Sequence, residues 1–244
     1  MKKLTSLMVA WLVTAASLSY GQTYTIGVED IDYYPLYAYR NGSYQGFAQE
    51  VLTKFADSKG YTFQFKPFPV VRLINYFVEG KVDFKFPDNE NWAGDAKKGI
   101  NEVYSDAVVP YTDGVMVLPA NKGKGTAALK KLGTVRGFTP WDYLSLIKSG
   151  AVVAKEASSL ESLIQQTIHG RVDGAYFNTI VASYYLANVK KQAGALVFDD
   201  TLPHTSSTYK LSSHKHPKVI EEFNQFLVDE SPWVRQLEKK YGIE

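Results

Sequence analysis

An α/β fold of two similar lobes is predicted from a repeated tetrapeptide, the alternation of helical and strand periods around it, and two extended apolar segments that join the series. Gly80-Lys81-Val82-Asp83 returns as Gly170-Arg171-Val172-Asp173. Before the first copy, Val71, Ile74, Phe77 and Val78 recur at roughly helical spacing, and Phe84 and Phe86 alternate with Lys85 just after it. Before the second, Leu160, Leu163, Ile164 and Ile168 do the same, and Ala175, Tyr176 and Phe177 follow. In both places a helical period ends at a glycine, where a left-handed cap costs little, and a short strand begins.

The remaining elements follow in order. Thr23 to Val28 alternates as a first strand, and Ile31 to Arg40 is an aromatic loop leading to the turn Asn41-Gly42. A helix from about Ala48 to Ser58, with Val51, Leu52 and Phe55 on one face, stops at Gly60; Tyr61 to Phe65 alternates as a second strand. Strand, helix, strand, helix, strand in one short span is the signature of a parallel sheet with crossover helices. A second series starts near Leu132, with a strand around Thr134 to Arg136. Thr139 is the expected N-cap and Pro140 the first residue of a helix carrying Trp141, Leu144 and Ile147, with Trp141 packed between helix and sheet. Ala151 to Ala154, Leu160 to Ile168 and Val172 to Phe177 give strand, helix and strand, and Ala182 to Leu186 starts another helix. Pro217 to Gly242 reads as two helices that pack back on one of the lobes. The joining segments, Asp113 to Pro119 and about Leu196 to Leu202, predict a two-strand hinge and a cleft between lobes. The resulting division is 1–21 as a signal, 22–115 with 203–244 as lobe one, and 116–202 as lobe two.

The chain has 244 residues, 45% of them hydrophobic, enough to bury one large core or two modest ones. With 27 basic against 25 acidic residues and no dense Lys/Arg block, nothing in the charge pattern predicts nucleic acid or an anionic membrane as partner. Lys2 and Lys3, the apolar run Leu4 to Leu18, and the small residues Ser19 and Gly21 before Gln22 read as a cleavable export signal, which places the mature chain in the periplasm. There is no cysteine, so the fold depends on its core without disulfides. His214-Lys215-His216 places two imidazoles on a solvated loop without a third ligand nearby, so neither a metal nor another cofactor is expected.

Several landmarks in their order resemble those of the family 3 extracellular solute-binding proteins, the periplasmic receptors of polar amino-acid ABC transporters. They are Tyr33-Tyr34-Pro35-Leu36, Gly46-Phe47-Ala48-Gln49-Glu50-Val51, Gly80 to Asp83, Tyr104-Ser105-Asp106 with Pro110-Tyr111, Val172-Asp173 and Lys239-Lys240-Tyr241-Gly242. The resemblance implies the type II periplasmic-binding-protein fold, with a small ligand held between two closing lobes. It also implies a lobe-one arginine for an α-carboxylate and a lobe-two carboxylate for an α-ammonium. This chain departs at both. Lys97 or Lys98 stands nearest the arginine position, Asn178 stands where the aspartate would be, and Val70 replaces an aromatic residue. An amide does not neutralise a buried ammonium, and a lysine lacks the guanidinium fork, so the expected solute is polar or aromatic and not a standard zwitterionic amino acid.

The candidate ligand-binding residues are Tyr33, after the first strand; Asp88, Asn89, Asn91 and Trp92, after the third; and Phe138 and Thr139, at the start of a lobe-two helix whose free amides favour an anion. Asn178, Lys98 and Arg72, a lone charge in an apolar helix, complete the set. The leading function is a monomeric binding protein that hands its solute to an ABC transporter permease or a sensor. An enzyme resembling cyclohexadienyl dehydratase is the alternative, but no carboxylate stands at Asn178 and no arginine at Lys98. A degenerate sensory protein with a filled cleft is a third reading.

Overall fold

The computed structural model describes residues 21–243; the predicted signal, residues 1–21, lies outside them except for Gly21. The first half opens with β1 (Thr23–Glu29) and a small antiparallel sheet of β2 (Asp32–Tyr33), β3 (Tyr37–Arg40) and β4 (Ser43–Gln45), where the sequence predicted a loop. Asn41 and Gly42 turn the β3–β4 hairpin with φ of 53° and 77°, the left-handed pair that an Asn-Gly turn supplies. Then come α1 (Phe47–Lys59), β5 (Thr62–Phe68), α2 (Val70–Val78), β6 (Phe84–Asp88), β7 (Val103–Tyr104) and β8 (Val109–Val117). The second half runs β9 (Lys131–Val135), α3 (Leu144–Lys148), β10 (Val153–Ala157), α4 (Leu160–Ile168), β11 (Gly174–Asn178), α5 (Thr179–Tyr184) and β12 (Val197–Phe198). β13 (Thr205–Ser213), α6 (Pro217–Asp229) and α7 (Ser231–Tyr241) close the chain.

One sheet carries both lobes, in the order β10-β9-β11-β8-β13-β6-β1-β5. Its flanks, β5-β1-β6 and β10-β9-β11, are parallel, as crossover helices require. Its middle is antiparallel: β8 pairs with β11 on one side and with β13 on the other. The strands in the middle are therefore β8, which contains most of the first expected joining segment as Asp113 to Val117, and β13 in place of Leu196 to Leu202. β13 reads Thr-Ser-Ser-Thr-Tyr-Lys-Leu-Ser-Ser, too polar for an apolar alternation to announce it, while Val197 and Phe198 only add β12 to the edge of β8.

The repeated tetrapeptide has one structural role used twice. Gly80 and Gly170 hold φ of 70° and 65°, ending α2 and α4. Asp83 accepts from the Thr25 amide at 2.8 Å and gives its own amide to the Thr25 carbonyl; Asp173 accepts from the Lys130 and Lys131 amides at 2.8 and 2.7 Å and donates back to Lys131. Each aspartate thus pins the start of the neighbouring parallel strand. Val82 and Val172 pack on glycines in those strands: a Cβ on Gly27 would lie 2.4 Å from Leu73 Cδ1, and one on Gly133 would lie 2.4 Å from Leu163 Cδ1. Helix and sheet meet at these bare backbones. His214 and His216 are not a solvated loop, because His214 Nε2 lies 2.7 Å from the Phe77 carbonyl and His216 Nε2 lies 3.3 Å from Asp83.

The two C-terminal helices pack on lobe one. Phe223 and Phe226 meet Phe55 of α1 at 5.0 and 5.5 Å, and Tyr241 donates to Glu50 at 2.6 Å. Among the described residues no helix is long and apolar enough to cross a membrane.

The close approach at Gly133 predicts that Gly133→Val lowers stability by about 1–3 kcal/mol through overpacking against Leu163 and Val172. Gly94→Ala, at a site open to solvent, changes it by less than about 0.5 kcal/mol. Urea unfolding of both variants measures the difference; equal losses would overturn the packing argument.

Candidate functional site

The middle of the sheet forms the floor of a cavity of about 460 Å³. Because side chains alternate along a strand, Tyr111 and Asp113 of β8 share its cavity face, as do Thr205, Ser207 and Tyr209 of β13 and Tyr176 and Asn178 of β11. Asp113 stands at the centre, in register with Asn178 on one side and Thr205 on the other. From lobe one come Glu29 at the end of β1, Tyr33, Lys85, Asp88 and Trp92; from lobe two come Phe138, Thr139, Trp141 and Phe177. Aromatic rings from both lobes meet here. Tyr33 stacks on Phe138 at 5.7 Å with planes 3° apart and touches Phe177 at 4.9 Å, while Tyr111 stacks on Tyr209 at 4.3 Å beside Trp92.

The charges under lobe one are already matched. Lys85, 2% exposed, lies 2.9 Å from Asp88 Oδ1 and donates to the Pro87 carbonyl at 2.7 Å; Lys97 donates to the same Oδ1 at 2.8 Å and lies 3.2 Å from Glu102. Ser212 donates to Asp88 Oδ2 at 2.6 Å. Burial alone would raise the Asp88 carboxyl, but Lys85 and Lys97 outweigh it and hold it well below the usual carboxylate range. Glu102 is pushed up, first by burial and then by sharing its hydrogen bonding with Asp88.

The carboxyls on the open side behave in the opposite way. Glu29 is raised mainly by burial, which the field of Lys85 and a 2.8 Å hydrogen bond from the Tyr37 hydroxyl only partly offset. Asp113 is pushed up to about 7 by burial, with the Asp142 and Glu29 carboxyls adding to the effect and the Asn178 amide opposing it. Its Oδ1 is sealed from solvent and accepts no hydrogen bond. The neighbouring donors are committed elsewhere: Asn178 Nδ2 donates to the Tyr209 hydroxyl at 3.4 Å while its Oδ1 caps α5 at the Val181 amide, and the Thr205 hydroxyl donates to Asp142 at 2.8 Å. Tyr176 also donates to Asp142, at 2.9 Å.

Of the residues selected from sequence, Tyr33, Asp88, Asn89, Asn91, Trp92, Phe138, Thr139 and Asn178 line this cavity. Arg72 does not. It lies on the exposed face of α2, whose Leu73 and Phe77 turn into the core and whose Val70, Val71 and Ile74 face the cavity. Lys98 is also exposed, and its neighbour Lys97 is the one that turns inward, against Asp88. Asn89 is tied down by its amide, which donates to the Ser207 hydroxyl at 3.0 Å and the Thr208 carbonyl at 3.1 Å. The helix expected after Thr139 is displaced: Thr139 caps nothing, a 3₁₀ turn covers Trp141–Tyr143, and α3 is only five residues long. No helix N-terminus therefore offers its amides at Phe138 and Thr139. Trp141 is 58% exposed at the cavity edge and is not packed between helix and sheet.

Also lining the cavity, but not among the residues selected from sequence, are Glu29, Lys85, Tyr111, Asp113, Tyr176 and Tyr209. Two of these carried a signal, since Lys85 stands between Phe84 and Phe86 and Asp113 is the one acid in the strand Val-Pro-Tyr-Thr-Asp-Gly-Val-Met-Val.

The fold is the two-lobed type II periplasmic-binding-protein fold. Among solved structures, the chain is similar to an ancestral arginine-binding protein bound to arginine, at 20% identity over 91% of this chain and 99% of that one, with a TM-score of 0.69. It is similar to an ancestral amino acid-binding protein described as a precursor of cyclohexadienyl dehydratase, at 19% identity over 91% and 95% of the chains and a TM-score of 0.68. The VFT2 domain of BvgS from Bordetella pertussis matches at 16% identity over 90% and 93%, with a TM-score of 0.69. No family model matches the sequence, and no curated protein does.

The Lys85–Asp88–Lys97 cluster predicts that Asp88→Asn, which leaves two buried ammonium groups without their shared carboxylate, costs about 3–5 kcal/mol in chemical denaturation. Because the folded-state value of Asp88 is depressed, its contribution is present above about pH 4 and is lost as pH falls below the unfolded aspartate value. The wild-type protein should therefore lose more stability on acidification than Asp88→Asn does; parallel curves would overturn the assignment.

Proposed function

We propose that this protein is an exported, monomeric periplasmic binding protein that traps a small polar or aromatic solute between its lobes. The lobes would comprise residues 22–115 with 203–244, and 116–202. The observation that carries this reading is the cavity of about 460 Å³, bounded by aromatic rings from both lobes and floored by the strands that join them. That volume suits a small molecule, and the mixture of rings with a few convergent polar groups is what orients one. The space is open, which favours trapping over a degenerate protein whose cleft is filled by its own side chains.

The solute is not a standard zwitterionic amino acid, although several similar structures bind such ligands. No arginine lines the cavity among the described residues, and the buried ammonium groups beside it, Lys85 and Lys97, are paired with Asp88 and Glu102. An α-carboxylate would enter without a free positive partner. After capture the protein would hand its solute to an ABC transporter permease or report it to a sensor.

The dehydratase-like reading gains one observation, a cavity carboxyl at Asp113 that titrates near neutrality, as a general acid or base should. Among the described residues no unpaired cation lines the cavity to anchor an acid substrate, and binding without turnover is the better account.

Isothermal titration against the common amino acids should give no tight binding, and tight binding of several would overturn the solute class. Native mass spectrometry of gently purified protein should show a retained small molecule. A matching ligand at 100 times its dissociation constant adds about 2.7 kcal/mol to stability, and Trp92→Ala, which strips a ring from the cavity wall, should weaken its binding at least tenfold while the unliganded protein stays folded.

A further inference from the structure

We infer that the cleft selects an organic cation, an ammonium ion carrying no carboxylate, with Asp113 as its counter-ion and the surrounding rings as its cage. This rests on the reading of the protein as a solute trap and names the class of solute.

Asp113 Oδ1 is a buried carboxylate oxygen on the cavity floor with no hydrogen-bond partner. Such an atom costs free energy in the empty protein, and a ligand that donates to it or brings a positive charge removes that cost. Among the described residues Asp113 joins no ion pair, and the charges that weigh on it are the carboxyls of Asp142 and Glu29, both of its own sign. The tyrosines facing it from the packed elements, Tyr33 of β2, Tyr176 of β11 and Tyr209 of β13, are all raised, first by burial and further by its charge, and offer no positive group. A cation therefore meets a negative floor.

The walls suit the same ligand. Tyr111 and Tyr209 form a stacked pair beside Trp92, and Tyr33 and Phe138 form another, so ring faces and edges from both lobes bound the space above the carboxyl. Aromatic faces attract a desolvated ammonium and are indifferent or adverse to an anion. The lysines beside the cavity are held by Asp88 and do not welcome an anion. A cation at Asp113 also accounts for the amide at Asn178, its cross-strand neighbour: a second full charge there would leave two unpaired carboxylates side by side.

Calorimetry of the purified protein with tyramine, choline, tryptamine, L-tyrosine and 4-hydroxyphenylacetate tests the charge preference directly. At least one of the three cations should bind, and tyramine should bind better than L-tyrosine or 4-hydroxyphenylacetate. Since a cation binds the ionised carboxyl, which forms as pH rises through about 7, affinity should be about 30-fold weaker at pH 5.5 than at pH 8. Glu29, also raised, acts in the same direction. Asp113→Asn should lose at least tenfold in cation affinity and flatten the pH dependence, while its thermal midpoint does not fall. Silence from all three cations, preference for either carboxylate ligand, or full cation affinity in Asp113→Asn would overturn the inference. A carboxylate ligand that binds and closes the lobes, followed by fluorescence transfer between labels on them, would overturn the cation alone. The trap itself would fall if neither these probes nor a cell extract changed that distance.

Discussion

Thr205 to Tyr209 run antiparallel against Val109 to Asp113, and that short ladder joins two otherwise parallel half-sheets into one. A parallel sheet extends through crossover helices, and each lobe has its own. Neither lobe continues into the other by that device. The antiparallel strands in the middle do so, and because each is long enough to pair on both sides, the cavity floor is made of hydrogen-bonded backbone. Side chains set on such a floor are placed by the pleat and not by loop conformation, which fixes Tyr111, Asp113, Asn178, Thr205 and Tyr209 relative to one another.

The flanks of the sheet were legible in the sequence because their physics is local. A helix that must end at a left-handed glycine, a valine that must pack on a bare strand, and an aspartate that must pin the neighbouring strand together give a tetrapeptide, and the chain contains it twice. Gly27 with Leu73 and Val82, and Gly133 with Leu163 and Val172, are the same contact in two lobes. The middle was illegible for the converse reason. β13 is a string of serines and threonines around Tyr209 and Leu211, and its strand state comes from its partners on either side, which no local period reports.

The site divides in the same way. Residues that follow a strand at the cleft edge, such as Asn89, Trp92 and Asn178, could be located by counting from the repeats. Arg72 is marked by a charge in an apolar helix and Lys98 by the family resemblance, yet the helix face turns Arg72 outward and the turn before Glu102 brings Lys97, not Lys98, to the interior. Asp113 and Tyr209 sit inside strands whose existence depends on long-range pairing. Their role emerges only when β8, β11 and β13 lie side by side.

Two groups of buried acids in one cleft are thereby given opposite fates. Asp88 has two lysines and a serine hydroxyl, so its charge is kept and its field is spent within lobe one. Asp113 has an amide and two like charges, so its charge is suppressed until something positive arrives. A closed ion cluster stabilises a wall without attracting a ligand, whereas an unmatched carboxyl in a low-dielectric floor is a poor contributor to stability and a strong one to selectivity. The difference lies in which strand carries each acid. β6 is flanked by the lysine-bearing turn that ends at Glu102, and β8 at Asp113 is flanked only by Asn178 and Thr205, so the lobe-joining strand is where an unsatisfied charge survives folding and remains available to a solute.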